Sequence, residues 1–297
     1  MNRKEFITSS LALGAYSLLP FSLSSCKSNS RFKLGYQLYS IRDEMAKDPI
    51  STLKKLKAMG YQDFEHYGYD EKKLTYYGFK TKAFKAILDD LNLNISSGHY
   101  PFANYFNASD ETLLKYVDKT IEGALLMQSK YIVWPWLAPE NRNIEDYKKL
   151  SDKLNIIGER VTNSGLGFAY HNHGYEFKND NGKNGFDIIT NTTDSKLVKL
   201  QLDMYWIMHE GFSTPKQLIE NHPGRFVMWH IKDMHKVSRD YTELGNGSID
   251  YIKELPDPKK SGLAYFYIEQ GGNFTVNSTK SASDSAKYFK AHLEHLL

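Results

Sequence analysis

The sequence predicts an α/β protein whose eight parallel strands close into a single-domain (β/α)8 TIM barrel, and three observations predict it. From Phe32 onward, β-type runs and amphipathic helical runs alternate eight times with no linker, repeat or low-complexity tract between them, the pattern of a parallel sheet with helical crossovers. Four apolar runs each end in a side chain able to bind a metal: Leu166-Gly-Phe-Ala-Tyr-His171, Leu197-Val-Lys-Leu-Gln-Leu-Asp203, Phe226-Val-Met-Trp-His230 and Tyr265-Phe-Tyr-Ile-Glu269. These four groups lie 32, 27 and 39 residues apart, about the length of one strand-helix pair, and a barrel of this kind gathers the C-terminal ends of its strands on one face. A doubly wound open sheet is the structural alternative, but it gives no reason for functional side chains at nearly every strand end.

The elements follow in order. Strand one is expected near Phe32–Leu38. Helix one starts after Asp48, with Pro49 at its first position; Ile50, Leu53, Leu56 and Met59 share a face and Gly60 closes it. Strand two is Tyr61–His66, helix two Thr81–Leu91 and strand three Leu93–Gly98. Helix three, Ser109–Gln128, opens with a capping serine and acids in its first turn. Strand four is Tyr131–Trp134 and helix four Ile144–Asn163. Strand five ends at His171 and a weakly marked helix spans Gly185–Asn191. Strand six ends at Asp203 before a short helix, Thr214–Glu220. Strand seven ends at His230 before a brief helix from Ser248. Strand eight ends near Glu269, and Ser281–Leu296 is the last helix.

The N-terminus has the character of an address rather than of the fold. Arg3 and Lys4 precede an apolar stretch, Phe6–Phe21, shorter than the roughly 20 residues that span a bilayer. Leu23-Ser24-Ser25-Cys26 follows, and this segment resembles a bacterial lipoprotein leader in which Cys26 receives the lipid. Arg3-Lys4-Glu5-Phe6-Ile7 also resembles a weak twin-arginine signal, and a plain secretory leader is the simpler alternative. The expected division is a signal peptide over residues 1–26, a polar tether over 27–31 and the barrel over 32–297. The expected location is outside the cytoplasm, lipid-anchored on the periplasmic or outer-membrane side. Cys26 is the sole cysteine, so no intrachain disulfide can form. Without residues 1–26 the chain has 36 basic and 34 acidic residues, a net +2, which argues against a nucleic-acid partner. The 21 tyrosines and 4 tryptophans suit sugar faces as well as ordinary cores.

Candidates for chemistry sit where strands end. They include Gln37, Tyr39 and Arg42 after strand one, Glu65 and His66 after strand two, and His99 after strand three. Trp134 and Trp136 follow strand four, and His171, His173 and Glu176 strand five. Asp203, Trp206 and His209 follow strand six, His230, Lys232, Asp233 and His235 strand seven, and Glu269 strand eight. Six of the ten histidines fall between His171 and His235. Imidazole and carboxylate ligands at His171, Asp203, His230 and Glu269 suit one divalent transition-type ion, Mn²⁺, Co²⁺ or Zn²⁺, better than Ca²⁺; Mg²⁺ stays open.

Gly35-Tyr-Gln-Leu-Tyr-Ser-Ile-Arg-Asp43, Tyr170-His-Asn-His-Gly-Tyr-Glu-Phe177 and His230-Ile-Lys-Asp233 resemble the motifs of the sugar phosphate isomerase/epimerase family with the xylose-isomerase-like barrel. The resemblance runs from about Phe32 to the C-terminus. It implies a small-molecule sugar substrate, with epimerases, isomerases, inosose dehydratases and keto-sugar lyases among the relatives, and DNA-repair enzymes on the same fold. In the family's ketose epimerases, Glu, Asp, His and Glu from strands five to eight hold the ion. Asp203, His230 and Glu269 match three of these places. The strand-five place falls to His171, with Glu176 as the alternative, and Trp206 stands where many relatives carry histidine. The loss of one glutamate puts two-sided epimerisation in doubt and leaves one-sided proton abstraction intact.

The expected activity is therefore metal-dependent sugar isomerase/epimerase chemistry by proton abstraction beside a carbonyl. A lyase or hydratase of a 3-keto-sugar or keto-glycoside is the first alternative, and a non-catalytic sugar-binding lipoprotein the second. A divalent ion would stabilise the enediolate and a base would take the proton. Glu269 is the expected base. His99 and His173 would donate to a hydroxyl, and Lys232 would hold an oxyanion unless it merely pairs with Asp233. Glu65 would bond substrate or orient a histidine ligand; Gln37, Trp134, Trp136 and Trp206 would line the pocket. Phosphorylated substrates are disfavoured, since no Gly-rich phosphate loop is present. A homo-oligomer is compatible with this reading, and the membrane enters only through the lipid anchor.

Overall fold

The computed structural model describes residues 31–297. The leader, Cys26 and tether residues 27–30 lie outside the described residues. Eight strands form a closed barrel in chain order: β1 (Gly35–Gln37), β2 (Asp63–His66), β3 (Asn94–His99), β4 (Tyr131–Trp134), β5 (Gly167–His171), β6 (Lys199–Asp203), β7 (Phe226–Ile231) and β8 (Tyr265–Ile268). Every neighbouring pair is parallel, and β8 closes on β1 through Tyr36 and Ile268. No helix among the described residues is long and apolar enough to cross a membrane.

The crossover helices start and stop where their residues dictate. Asp48 accepts from the Ser51 N–H at the start of Pro49–Met59, and Gly60 ends that helix at φ +102°, a conformation natural to glycine. Ser109 and Asn143 cap the long helices Asp110–Met127 and Ile144–Asn163 in the same way, which satisfies N–H groups that lack an intrahelical partner. Thr214 and Gln217 form a reciprocal capping box ahead of Pro215–Asn221. Besides a helix directly after β6, the other α-helices are Arg42–Lys47, Thr81–Asp90, Gly185–Thr192, the one-turn pieces Tyr251–Glu254 and Pro258–Ser261, and Ser278–His292.

Strand one is shorter than its sequence suggests. The Gln37 side chain accepts the Tyr39 N–H and bends Leu38–Ile41 into a 3-10 turn. Three features on the C-terminal face escape the sequence pattern. Met204–Glu210 is helical directly after β6. The β2 crossover carries a three-stranded antiparallel sheet (Tyr69–Asp70, Thr75–Tyr76, Phe79–Lys80), and the β7 crossover pairs Asp233–Met234 with Tyr241–Thr242.

Side-chain alternation along the strands divides the interior in two. One set packs against the helices and builds the main core, including Phe64, Ile132, Trp134, Phe168, Leu202, Trp229 and Phe266. The other set fills the barrel: Val133, Ala169, Val227, Met228 and Tyr267 form a separate small cluster, and Tyr267 hydrogen-bonds Ser96 at 2.6 Å. One step nearer the C-terminal end, the inward positions turn polar and form the site.

At the opposite end of the barrel, Asp63 is buried and accepts from the Phe64 and Ser96 N–H groups at 2.9 and 3.1 Å. Burial dominates and pushes its carboxyl up to about 6. An acid whose pKa rises on folding binds its proton more tightly in the native state, so stability falls as pH climbs from about 4 to 6 and the full penalty persists above that window. Asp63→Asn keeps both accepted hydrogen bonds. It should stabilise the protein by about 2 kcal/mol at pH 7.5 and by nothing measurable at pH 3.5, read as the difference in denaturant midpoints at the two pH values.

Candidate active site

His171 closes β5, Asp203 closes β6, His230 lies one residue from the end of β7, and Glu269 follows β8 directly. Their ligand atoms lie within 4.8 Å of one another, all buried. His171 Nε2 is 3.1 Å from His230 Nδ1 and 3.2 Å from Asp203 Oδ2, and His230 Nδ1 is 2.5 Å from Glu269 Oε2. The outward nitrogens of both imidazoles are committed elsewhere. His171 Nδ1 faces the Pro135 carbonyl at 3.2 Å, and His230 Nε2 faces Glu65 Oε2 at 2.6 Å. An acceptor at the outer nitrogen fixes the tautomer that turns a lone pair inward, which is how metal-binding histidines are held. Asp203 Oδ1 is buried without a hydrogen-bond partner, while Asp203 Oδ2 and Glu269 Oε2 have ion-pair neighbours. Two buried carboxylates and two imidazoles gathered this closely fit a divalent cation.

Lys232 Nζ lies 2.6 Å from Asp203 Oδ2 and 3.0 Å from Glu269 Oε2. It therefore does not pair with Asp233. That carboxylate instead accepts backbone N–H groups from Met234, Gly245, Gly247 and Ile249 and ties down the β7 loop.

Glu65 is the hub beneath this cluster. It is fully buried and accepts from Gln37 Nε2 (2.6 Å), Ser97 Oγ (2.7 Å) and Gln201 Nε2 (2.7 Å), besides His230 and, at 2.9 Å, His99 Nε2. Burial alone would raise its carboxyl; the His99 and His230 imidazoles outweigh that and hold it well below the usual carboxylate range. Burial also opposes ionisation of Asp203 and Glu269, but Lys232 together with His171 or His230 keeps both lowered. Burial would lower His230, yet Glu269 and Glu65 carry it up to about 9, while burial leaves His171 neutral at about 4. Three carboxylates are thus gathered around Lys232 and His230, and His230 Nδ1 points to the place that an ion would take.

Several sequence expectations are corrected by the geometry. Gln37 does not reach the cavity: its amide is spent on Glu65 and on the Tyr39 N–H. Glu65 takes the second of its two expected roles and positions histidines. Trp134 points out of the barrel, stacks on Phe102 and donates to the Trp136 carbonyl; it is out of phase with the inward Val133. Glu176 is no ligand. It accepts from Tyr170 Oη and the His173 N–H, and burial pushes its carboxyl up to about 7. His99, His173 and Lys232 do line the cavity with His171 and Glu269, under a rim that includes Tyr39, Tyr67, Trp136 and Tyr241. Trp206 lies just beside it, packed on His173.

Two working residues escaped the sequence reading. Gln201 bonds both Glu65 and His99. Asn172 clamps the Asp203 backbone through its side-chain oxygen and nitrogen. Gln201 carries a signal in hindsight, since it is a polar residue two before Asp203 and so shares its inward face. Glu65→Gln should keep the fold, with an unchanged circular dichroism spectrum, and weaken Zn²⁺ or Mn²⁺ binding about 10- to 100-fold; unchanged affinity by competition with a chelating dye would remove Glu65 from this role.

The model for the xylose isomerase-like TIM barrel matches residues 53–291. The chain is 25% identical over 171 residues to an inosose dehydratase of Clostridium beijerinckii. That match covers 50% of this chain and 55% of the dehydratase, so the chain spans about half the length of the curated relative. Among solved structures, a sugar phosphate isomerase/epimerase from Parabacteroides distasonis superposes with a TM-score of 0.77 at 26% identity, covering 93% of this chain and 99% of the other. The IolI protein, solved with a zinc atom, superposes with a TM-score of 0.68 over 90% of this chain and 99% of its own; at 15% identity that likeness concerns the fold. With the family model matching most of its length around this strand-end site, the chain belongs to the xylose isomerase-like TIM barrel family.

Proposed function

We propose that this protein is a divalent-metal-dependent enzyme that removes the proton beside the carbonyl of a keto-sugar, with β-elimination as the outcome. The observation that carries the reading is the position of Glu269: of the three carboxylates in the cluster, it is the one that lines the cavity. A single carboxylate at the reacting face serves one face of the sugar. Epimerisation needs proton transfer on both faces, whereas elimination needs one base and a leaving group. The dehydratase relative is in keeping with this outcome.

His171, Asp203, His230 and Glu269 would hold the ion. When bound, it supplies Lewis-acid stabilisation of the oxyanion that develops on the substrate carbonyl. Glu269, kept ionised by Lys232 and His230, accepts the α-proton through its exposed edge, a contribution of about 10²- to 10⁴-fold. Lys232, whose ammonium is reinforced by Asp203 and Glu269, donates to the same developing oxyanion. His99, anchored through Nε2 on Glu65 and Gln201, orients a substrate hydroxyl. The aromatic rim limits access of water to the reacting carbons.

A one-sided aldose–ketose isomerisation is the second reading, favoured by the whole-length likeness to the Parabacteroides protein. Proton NMR in D₂O with Zn²⁺ or Mg²⁺ separates the two. Elimination removes the α-proton signal and creates an enone that absorbs in the ultraviolet; isomerisation interconverts two sugars without loss of mass. Glu269→Gln should slow either reaction at least about 10²-fold. Full retention of α-protons across a panel of keto-sugars by the metal-loaded protein would end the proposal.

We place the enzyme outside the cytoplasm, anchored through lipid on Cys26, on the strength of the leader alone. Cys26→Ser should move the protein from the membrane to the soluble fraction of cells, and persistence in the membrane would refute the anchor.

A further inference from the structure

The end of the barrel away from the cavity has a charge character of its own. All eight strands run the same way, so the loops that enter them share this end. The exposed charges in those loops are Arg31 and Lys33 ahead of β1, Lys130 ahead of β4, and Lys196 ahead of β6, with Asp194 as the acid among them. Lys199 opens β6 on the same face. Arg31, Lys33 and Lys130 rim a hollow of about 340 Å³. Among the described residues, none of these three cations has a carboxylate within 4.0 Å. On the helices the opposite holds: Lys47, Lys115, Lys119, Lys148 and Lys280 each pair with an acid three or four residues away, as neighbouring charges on a solvated helix do. Asp63, in the floor of the hollow, does not offset the rim, because its carboxylate is turned to the Phe64 and Ser96 N–H groups.

We infer that this end of the barrel rests on an anionic phospholipid surface, with the cavity mouth turned away from it. The inference rests on the lipid-anchor reading above and specifies how the anchored barrel stands. Five residue steps separate Cys26 from Arg31, a reach of at most about 18 Å. Arg31 enters the fold at the strand starts, and β3, with six residues, climbs about 20 Å from that end toward the cavity. A lipid on Cys26 is therefore held nearer the entering loops than the cavity rim. Attraction between exposed charges fades within about 8 Å at physiological salt, so the short tether is what brings these cations into range of headgroups. There each Lys or Arg strengthens attachment to an anionic leaflet about 5-fold. The hollow between Lys33 and Lys130 admits a headgroup phosphate, with the amides of Asn94 and Gln128 in its wall as further donors. In this stance the cavity opens to dissolved sugar on the side away from the bilayer.

The test uses the full chain carrying Cys26→Ser, so that lipid plays no part, and measures co-sedimentation with two kinds of vesicle: phosphatidylcholine alone, and phosphatidylcholine with one third phosphatidylglycerol. Adding Lys33→Gln and Lys130→Gln should lower affinity for the anionic vesicles about 10-fold or more and leave that for the neutral ones unchanged. The leader is common to both proteins, so the difference belongs to the face. Lys72→Gln with Lys73→Gln, exposed in the β2 crossover at the cavity end, should alter neither. Equal affinity with and without Lys33 and Lys130, or an equal loss from the Lys72 and Lys73 pair, overturns the inference. Displacement by millimolar glycerol phosphate also overturns it, since the hollow would then serve a soluble anion. The anchor is read separately: a Cys26→Ser protein that stays in the membrane of cells through a high-salt wash refutes the anchor, while the vesicle difference still decides the face.

Discussion

The site depends on one constraint: carboxylates placed inside a closed barrel must be compensated there, because water cannot reach them. Glu65 has no exposed surface and meets this requirement with five neighbours drawn from β1, β3, β6 and β7. Each of those contacts also has a second effect. His230 is locked into one tautomer, His99 is aimed at the cavity, and Gln37 and Gln201 are immobilised. The layer above inherits its order from this one. Asp203 and Glu269 sit where Lys232 and two imidazoles converge, and Asp203 Oδ1 there has no hydrogen-bond partner.

Support for this arrangement is spread through the loops rather than concentrated at the centre. Asp233 gathers four backbone N–H groups and so shapes the β7 crossover that presents Lys232 and Tyr241. Asn172 ties the end of β5 to the backbone of Asp203. Glu176 accepts from Tyr170 Oη and the His173 N–H, which holds the loop that carries His173. Residues outside the cluster thus decide where its polar groups stand, a form of preorganisation.

Much of the barrel was legible in the chain because its signals are local. Helix caps at Asp48, Ser109 and Asn143 and the terminator Gly60 lie within a few residues of the structure they specify. The strand-end ligands were legible for a related reason: a polar group that ends an apolar run in a parallel barrel has one face to occupy. The short helix Met204–Glu210 and the small sheet around Tyr69–Lys80 were not, since aromatic runs such as Met-Tyr-Trp-Ile carry no decisive period. Trp134 and Gln37 look alike from sequence as pocket residues. Strand phase sends the first outward into the core, and a buried hydrogen bond keeps the second from the cavity.

The sequence by itself determined the eightfold alternation, the xylose-isomerase-like motifs and the strand-end positions of Asp203, His230 and Glu269, since each is a matter of residue type and spacing. Only the tertiary structure decided that His171 rather than Glu176 joins the cluster, that Lys232 faces Asp203 and Glu269 instead of Asp233, and that Glu65 lies beneath the site. Those outcomes turn on side-chain direction and on burial by segments that are far apart in the chain, more than a hundred residues in the case of Glu65. Electrostatic compensation acts through space, and a linear chain does not record which of its charges will share an interior.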